Sequence, residues 1–132
     1  MKKENYWQGI GRRKTAIAVV KIFKDKDDYF LVNNKPLEKY FPLLELQKTA
    51  KAPLELLKLE NKFKILALVR GGGLSAQSEA IRLGLARAFV SFKDDLRKKL
   101  KKAGFLKRDP RAKERKKPGL KRARRAPQWQ KR

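Results

Sequence analysis

The chain contains no cysteine and no histidine. The first absence excludes disulfides and thiolate chemistry. The second removes the commonest general base and the commonest metal ligand. Acidic residues are scarce: 13 Asp and Glu stand against 37 Lys and Arg in 132 residues, a net charge of +24. No apolar run approaches the roughly 20 residues of a membrane-crossing helix. The opening stretch, MKKENYWQGIGRRK, is too short and too polar for a secretion signal. The chain is therefore expected to act in the compartment where it is made.

What the sequence has in abundance is positive charge. A free globule so charged repels itself, so a polyanionic partner is implied. Nucleic acid leads as that partner, with an anionic membrane surface second. The length suits one ordinary domain. The charge is uneven, because residues 105–132 hold 13 basic residues and two acidic ones, Asp109 and Glu114. That segment carries +11 of the +24. Gly104 marks the boundary, giving an expected globular unit over 1–104 and an extended basic tail over 105–132.

Hydrophobic patterning gives the elements of the first unit. Thr15 to Phe23 (TAIAVVKIF) is apolar nearly throughout and β-branched, which suits a strand covered on both faces. KDKDD at 24–28 reads as a charged turn and Tyr29 to Val32 as the returning strand of a hairpin. Asn33-Asn34-Lys35-Pro36 is a second turn. Leu37 to Phe41 suits a short helix with Pro36 in its first turn. Leu43 to Leu57 is helical in composition, with a break expected at Pro53. Lys62 to Arg70 puts Phe63, Ile65, Ala67 and Val69 on one side and reads as a strand. Leu74 to Phe92 is a helix with Ile81, Leu85 and Phe89 on one face and Ser75 as the expected N-cap. Asp94 to Ala103 is a further helix with Leu96 and Leu100 inward, stopped by Gly104. Strands followed by helices in about 100 residues give an α+β fold, a small sheet with helices packed on it.

Three stretches carry functional signal. In GIGRRK (Gly9 to Lys14), two glycines permit close approach of the backbone, and Arg12, Arg13 and Lys14 follow. This reads either as a phosphate clamp at a sheet edge or as a polar loop with solvated charge. In RGGGLSAQSEAIRLG, Arg70 and Gly71-x-Gly73-x-x-Ala76 between strand and helix match a dinucleotide fingerprint locally. The larger unit is missing, since no second parallel strand with a terminal acid follows, and Asp94 and Asp95 fit the first turn of a helix instead. No Gly-Lys-Ser/Thr closes an alternative phosphate loop. The remaining readings are a tight, closely packed strand-to-helix turn, or RNA backbone meeting Arg70 and the amides of Gly71, Gly72 and Gly73. The third stretch is the tail. Pro110, Pro118, Pro127 and Gly119 forbid one continuous helix, and its polarity leaves it unable to bury a core. It reads as a nonspecific charged tail or as an RNA-binding arm. Arg pairs bidentately with phosphate and aromatics stack on bases, which favours the arm. A membrane tail would interleave more apolar residues on one face.

Taken together, GxGRRKTAxAxV, GGGxSxQxxAIRxGLARA and LKRDPRxxERKKPGLKRARRAPQxxKR resemble the bacterial-type small-subunit ribosomal protein S9 family, over essentially the whole chain from Gly9 to Arg132. The resemblance implies a compact four-stranded sheet with helices on it, like the second domain of ribosomal protein S5, plus a long basic extension. It implies a structural, non-enzymatic constituent of the small-subunit head, with no cofactor, no small-molecule substrate and no membrane. Its implied partners are 16S rRNA, neighbouring head proteins and the anticodon stem-loop of P-site tRNA. Its location would be the ribosome of a bacterial cytoplasm or of an organelle.

The rRNA-binding residues carried over are Arg12, Arg13, Lys14, Arg70, Gly71, Gly72, Gly73, Lys107, Arg108, Arg111, Arg115, Lys116, Lys117, Lys121, Arg122, Arg124, Arg125 and Trp129. Lys131 and Arg132 are carried over as tRNA contacts. The chain departs from the family pattern at Trp129 and Gln130, where Phe-Ser is usual, at Ile10 in place of Thr or Ser, and at Ala76 in place of Gly. Two other classes stand beside this one: a basic RNA chaperone outside the ribosome, and an enzyme holding a nucleotide at Gly71 to Ala76.

Overall fold

A computed structural model of the chain describes residues 6–24, 29–59 and 62–107. Five strands and four helices follow in order. They are β1 (Trp7–Arg13), β2 (Ala16–Lys24), β3 (Phe30–Val32), β4 (Lys35–Pro36), α1 (Leu37–Tyr40), α2 (Leu44–Leu57), β5 (Phe63–Arg70), α3 (Leu74–Phe92) and α4 (Arg97–Lys102), with one 3-10 turn at Asp94–Leu96. The class is α+β as expected. The sheet has five strands rather than four, in the order β1-β2-β5-β3-β4. No helix among the described residues is long and apolar enough to cross a membrane.

Two strands are not expected from the hydrophobic pattern: β4 falls in the stretch read as a second turn, and β1 in the one read as a phosphate clamp at a sheet edge or a polar loop. Glycine has low strand propensity, so Gly9 and Gly11 hid β1. A full antiparallel register with β2, Trp7 opposite Ile22 through to Arg13 opposite Ala16, overrides that propensity. The two strands are joined by Lys14 and Thr15, with Lys14 at a φ of 53°.

The expected hairpin of β2 with β3 does not form. β5 lies between them, antiparallel to β2 and parallel to β3. A parallel pair needs a crossover, and here α1 and α2 supply it. The charged turn at KDKDD falls largely outside the described residues. The Asn33-Asn34 turn does form, as a two-residue hairpin between β3 and β4 with both asparagines at positive φ.

β2 is also less enclosed than its composition suggested. Ala16, Ala18, Val20 and Ile22 are buried beneath the helices, whereas Ile17, Val19, Lys21 and Phe23 on the opposite face are half-buried. The core lies between that inner face and α3, whose Ile81, Leu85 and Phe89 are fully buried. Leu37, Phe41 and Ala50 from α1 and α2 close one side and Leu100 of α4 another. Burying one such side chain is worth about 1.5–3 kcal/mol.

The helix-end expectations fared unevenly. α2 runs through Pro53 without a break. A proline inside a helix costs roughly 3 kcal/mol in lost bonding and clash, but the Pro53 ring is fully buried and its packing offsets that cost. Ser75 is not a cap: Gly73 occupies the N-cap of α3, with no side-chain bond to the helix end. Gly104 does terminate α4. Its N–H donates to the Lys101 carbonyl at 3.0 Å, and that of Phe105 donates to the Leu100 carbonyl at 3.0 Å, the paired bonds of a Schellman stop.

A candidate nucleic-acid interface

The functional stretches meet at one end of the sheet. Arg12 is the penultimate residue of β1, Ile17 the second residue of β2 opposite it, and Arg70 closes β5 on the other side of Ile17. Adjacent strands are about 4.8 Å apart, so the two arginines flank Ile17 roughly 10 Å from each other on one face, and both are exposed. Lys14, also exposed, projects from the intervening turn.

Gly71 and Gly72 pack directly beneath that turn. A Cβ on Gly71 would lie 2.5 Å from the Thr15 carbonyl oxygen, and one on Gly72 would lie 3.2 Å from Ala16. Both have positive φ, 79° and 66°, so backbone conformation and crowding both demand glycine there. Gly73 differs: a Cβ there would meet nothing within 4 Å. The tight packed turn is therefore real. It also leaves exposed backbone beside Arg70 and Lys14 at the N-terminus of α3, which is favourable ground for an anion.

A polar network holds this turn from behind. Gln77 Nε2 donates to the Gly71 carbonyl at 3.1 Å, and the Tyr40 hydroxyl donates to Gln77 Oε1 at 2.6 Å. Asn33 Nδ2 reaches Tyr40 Oη at 3.4 Å and donates to the Val69 carbonyl at 2.9 Å. The Val69 N–H returns a bond to Asn33 Oδ1 at 2.9 Å. Gln77 is buried, so Gln77→Leu should cost about 1–3 kcal/mol by leaving the Gly71 carbonyl and part of the Tyr40 hydroxyl unpaired. Urea unfolding of the variant checks this.

The glycines of GIGRRK have a different task from the one their sequence suggested. What they approach is α3. A Cβ on Gly9 would lie 2.0 Å from the Gly84 carbonyl oxygen, and one on Gly11 would lie 1.8 Å from that of Ala80. Arg13 faces the same way. It is 8% exposed, and its Nε donates to Glu79 Oε2 of α3 at 2.7 Å. Of the three cations in the motif, Arg12 and Lys14 point outward while Arg13 ties the strand to the helix.

Lys107 comes to the same end. A recess beside Arg12 and Arg13 is lined by Glu79, Arg82, Gly104, Phe105 and Lys107. Phe105 and Leu106 are half-buried against the core, which anchors the point where the basic segment begins. Glu79, the acid lining this recess, is engaged by Arg13.

Arg82 was missed at the sequence level. It is half-buried, with its guanidinium 5.4 Å from the centre of the Phe105 ring. A helical projection of 74–92 puts it near Glu79, beside the apolar stripe, but nothing in the sequence pairs that side of the helix with β1 and Lys107. Arg87, also missed, is occupied: its Nη1 donates to the Ile10 carbonyl of the edge strand at 2.7 Å. The remaining expected contacts, Arg108, Arg111, Arg115, Lys116, Lys117, Lys121, Arg122, Arg124, Arg125, Trp129, Lys131 and Arg132, lie outside the described residues.

A turn of cations and glycines, continued by a basic segment, has a counterpart among known proteins: the family model described as ribosomal protein S9/S16 matches residues 11–132. The chain belongs to that family. The match starts within β1, takes in the glycine turn and α3, and continues through the whole basic segment to Arg132. As a member, the chain is a small-subunit ribosomal protein and a structural constituent of the ribosome. Its cationic end therefore belongs to a protein of a ribonucleoprotein particle, where phosphate is the abundant anion.

Proposed function

We propose that the chain serves in the head of the small ribosomal subunit, binding 16S rRNA through its cationic end and its basic C-terminal segment. In this reading Arg12, Lys14, Arg70, Arg82 and Lys107 meet phosphates, and RNA backbone approaches the exposed amides of Gly71, Gly72 and Gly73. Arg13 backs them through Glu79. The carrying observation is the convergence: Arg12 and Lys14, from the end of β1 and the turn after it, meet Arg70 from the end of β5, some 56 residues later, and Lys107, where the basic segment starts, lies beside Arg12. Lys and Arg neutralise phosphate without reading sequence, which suits a protein that holds rRNA in place. The test is co-sedimentation in high salt. The chain should remain with small-subunit particles, whereas release into the free fraction would favour a basic RNA chaperone outside the ribosome.

In the same reading residues 105–132 form an arm that runs through rRNA, with Trp129 stacked or packed against it and Lys131 and Arg132 at the backbone of P-site tRNA. The support is the sequence: two terminal cations beside a large ring, in a segment with no apolar periodicity. A well-formed charge-assisted contact is worth roughly 1.5–3 kcal/mol. Deleting Lys131 and Arg132 should weaken P-site tRNA binding to purified small subunits about tenfold or more and leave assembly intact. Unchanged tRNA affinity at low magnesium would limit the tip to rRNA contact.

A further inference from the structure

Among the described residues, no helix lies on one face of the sheet. The register assembles this face strand by strand. Arg12, Ile17 and Arg70 form its first row. Ile10, Val19 and Leu68 form the second, and Gln8, Lys21, Leu66 and Leu31 the third. Phe23 and Lys64 form the fourth, with Tyr6 and Tyr29 beside them. The middle is aliphatic and open, since Ile10 is 40% and Leu68 61% exposed.

Two observations say what covers it. The first is charge. None of the five strands contains Asp or Glu, so every charge that the strands place around the aliphatic centre is positive. A second copy of the chain would bring like charge to like charge, and so would the chain's own segment 105–132 at +11. The occupant is therefore acidic.

The second observation separates acidic protein from RNA. RNA binds open sheets by stacking bases on aromatic rings, and among the described residues the rings of this face are confined to the fourth row, at the far end from Arg12 and Arg70, each with a lysine ammonium over it. Lys21 Nζ lies 4.8 Å from the centre of the Tyr6 ring, and Lys64 Nζ lies 5.2 Å and 5.3 Å from those of Phe23 and Tyr29. The second row, Ile10, Val19 and Leu68, offers only hydrocarbon, which gives a phosphate or ribose nothing to bond. An aliphatic centre with a charged rim is the anatomy of a protein interface.

We propose that this face docks an amphipathic segment of a neighbouring protein, one whose aliphatic stripe is flanked by Asp and Glu. The rows span about 20 Å along the strands and about 15 Å across them, which suits one helix of roughly 10–12 Å diameter. The inference goes beyond the RNA-binding reading, and its test separates the two.

The test uses the full-length chain in intact cells, with p-benzoylphenylalanine replacing Leu68 in one variant and Lys14 in another. On irradiation, the probe at Leu68 should cross-link to a protein, in a peptide combining aliphatic residues with Asp or Glu. Adding Lys21→Glu and Lys64→Glu should lower that product at least tenfold relative to the amount of chain present. Cross-linking of position 68 to RNA, no cross-link there, a product lacking acidic residues, or an unchanged yield in the charge-reversed variant would each overturn the proposal. The probe at Lys14 reports separately on the RNA interface: an absence of RNA product there counts against that reading and leaves the outcome at position 68 fully interpretable.

Discussion

Removing residues 107–132 should flatten the salt dependence of RNA binding to less than about half its full-length slope. The deleted segment carries 13 basic and two acidic residues. If six to eight of its cations meet phosphates, counterion release from single-stranded or irregular RNA gives this segment a slope of log affinity on log salt near −4 to −7. The globular end left behind offers Arg12, Lys14, Arg70 and Arg82, which together supply a slope no steeper than about −3. A fourfold rise in salt should therefore weaken the full chain by at least roughly 10²- to 10⁴-fold, and the truncated chain by about 60-fold at most. Fluorescence anisotropy with a small-subunit rRNA fragment, run over a salt series, measures both slopes. Equal slopes would assign the binding to the sheet end alone. The core should survive the truncation, because Leu100 is buried upstream of the cut and Phe105 and Leu106, which pack on the core, are retained.

Gly11→Ala should destabilise the fold by about 3 kcal/mol or more, at the upper end of what overpacking costs. The added methyl carbon would sit 1.8 Å from the Ala80 carbonyl oxygen and 2.5 Å from the Gly84 backbone nitrogen. Both are main-chain atoms of a 19-residue helix, so no side chain can rotate away, and strand and helix must separate. That separation loosens the core over Val20, Ile81 and Leu85. It also stretches the 2.7 Å Arg13–Glu79 pair. For a domain of this size, 3 kcal/mol corresponds to a fall in Tm of roughly 10–20 °C. Gly73→Ala is the control: its added carbon would meet nothing within 4 Å, and its φ of −95° suits any residue, so stability should change by less than about 0.5 kcal/mol. If the two variants melt alike, the close approach of β1 to α3 is wrong.

The contrast between these glycines shows where sequence reading succeeds and where it stops. Gly9, Gly11, Gly71 and Gly73 look equivalent in the chain, each in a short motif beside cations. Gly9 and Gly11 accommodate a helix whose contacting residues come some 70 positions later, Gly71 satisfies a positive φ beneath the β1–β2 turn, and Gly73 caps α3. Arg12, Arg13 and Lys14 likewise read as one cluster. Pleating sends Arg12 and Arg13 to opposite faces of the sheet, and Arg13 finds its acid 66 residues away.

Charge, apolar period and motif are local properties, and they sufficed for much of this protein. Net charge and its concentration after Gly104 pointed to a polyanion without reference to any fold. The period-2 pattern of Phe63 to Val69 and the helical spacing of Ile81, Leu85 and Phe89 placed β5 and α3, because burying one face dictates that spacing whatever lies opposite. Three long motifs were enough to suggest the family. Tertiary structure alone decided that β5 separates β2 from β3, that β1 is a strand, that α2 continues through Pro53, and that Arg82 joins Arg12 and Lys107. Each of these depends on a partner distant in sequence, whose packing overrides a local preference: glycine against strand, proline against helix, nearest-neighbour hairpin against crossover. Such a preference is worth about 1–3 kcal/mol, and burial of several apolar side chains at 1.5–3 kcal/mol each exceeds it.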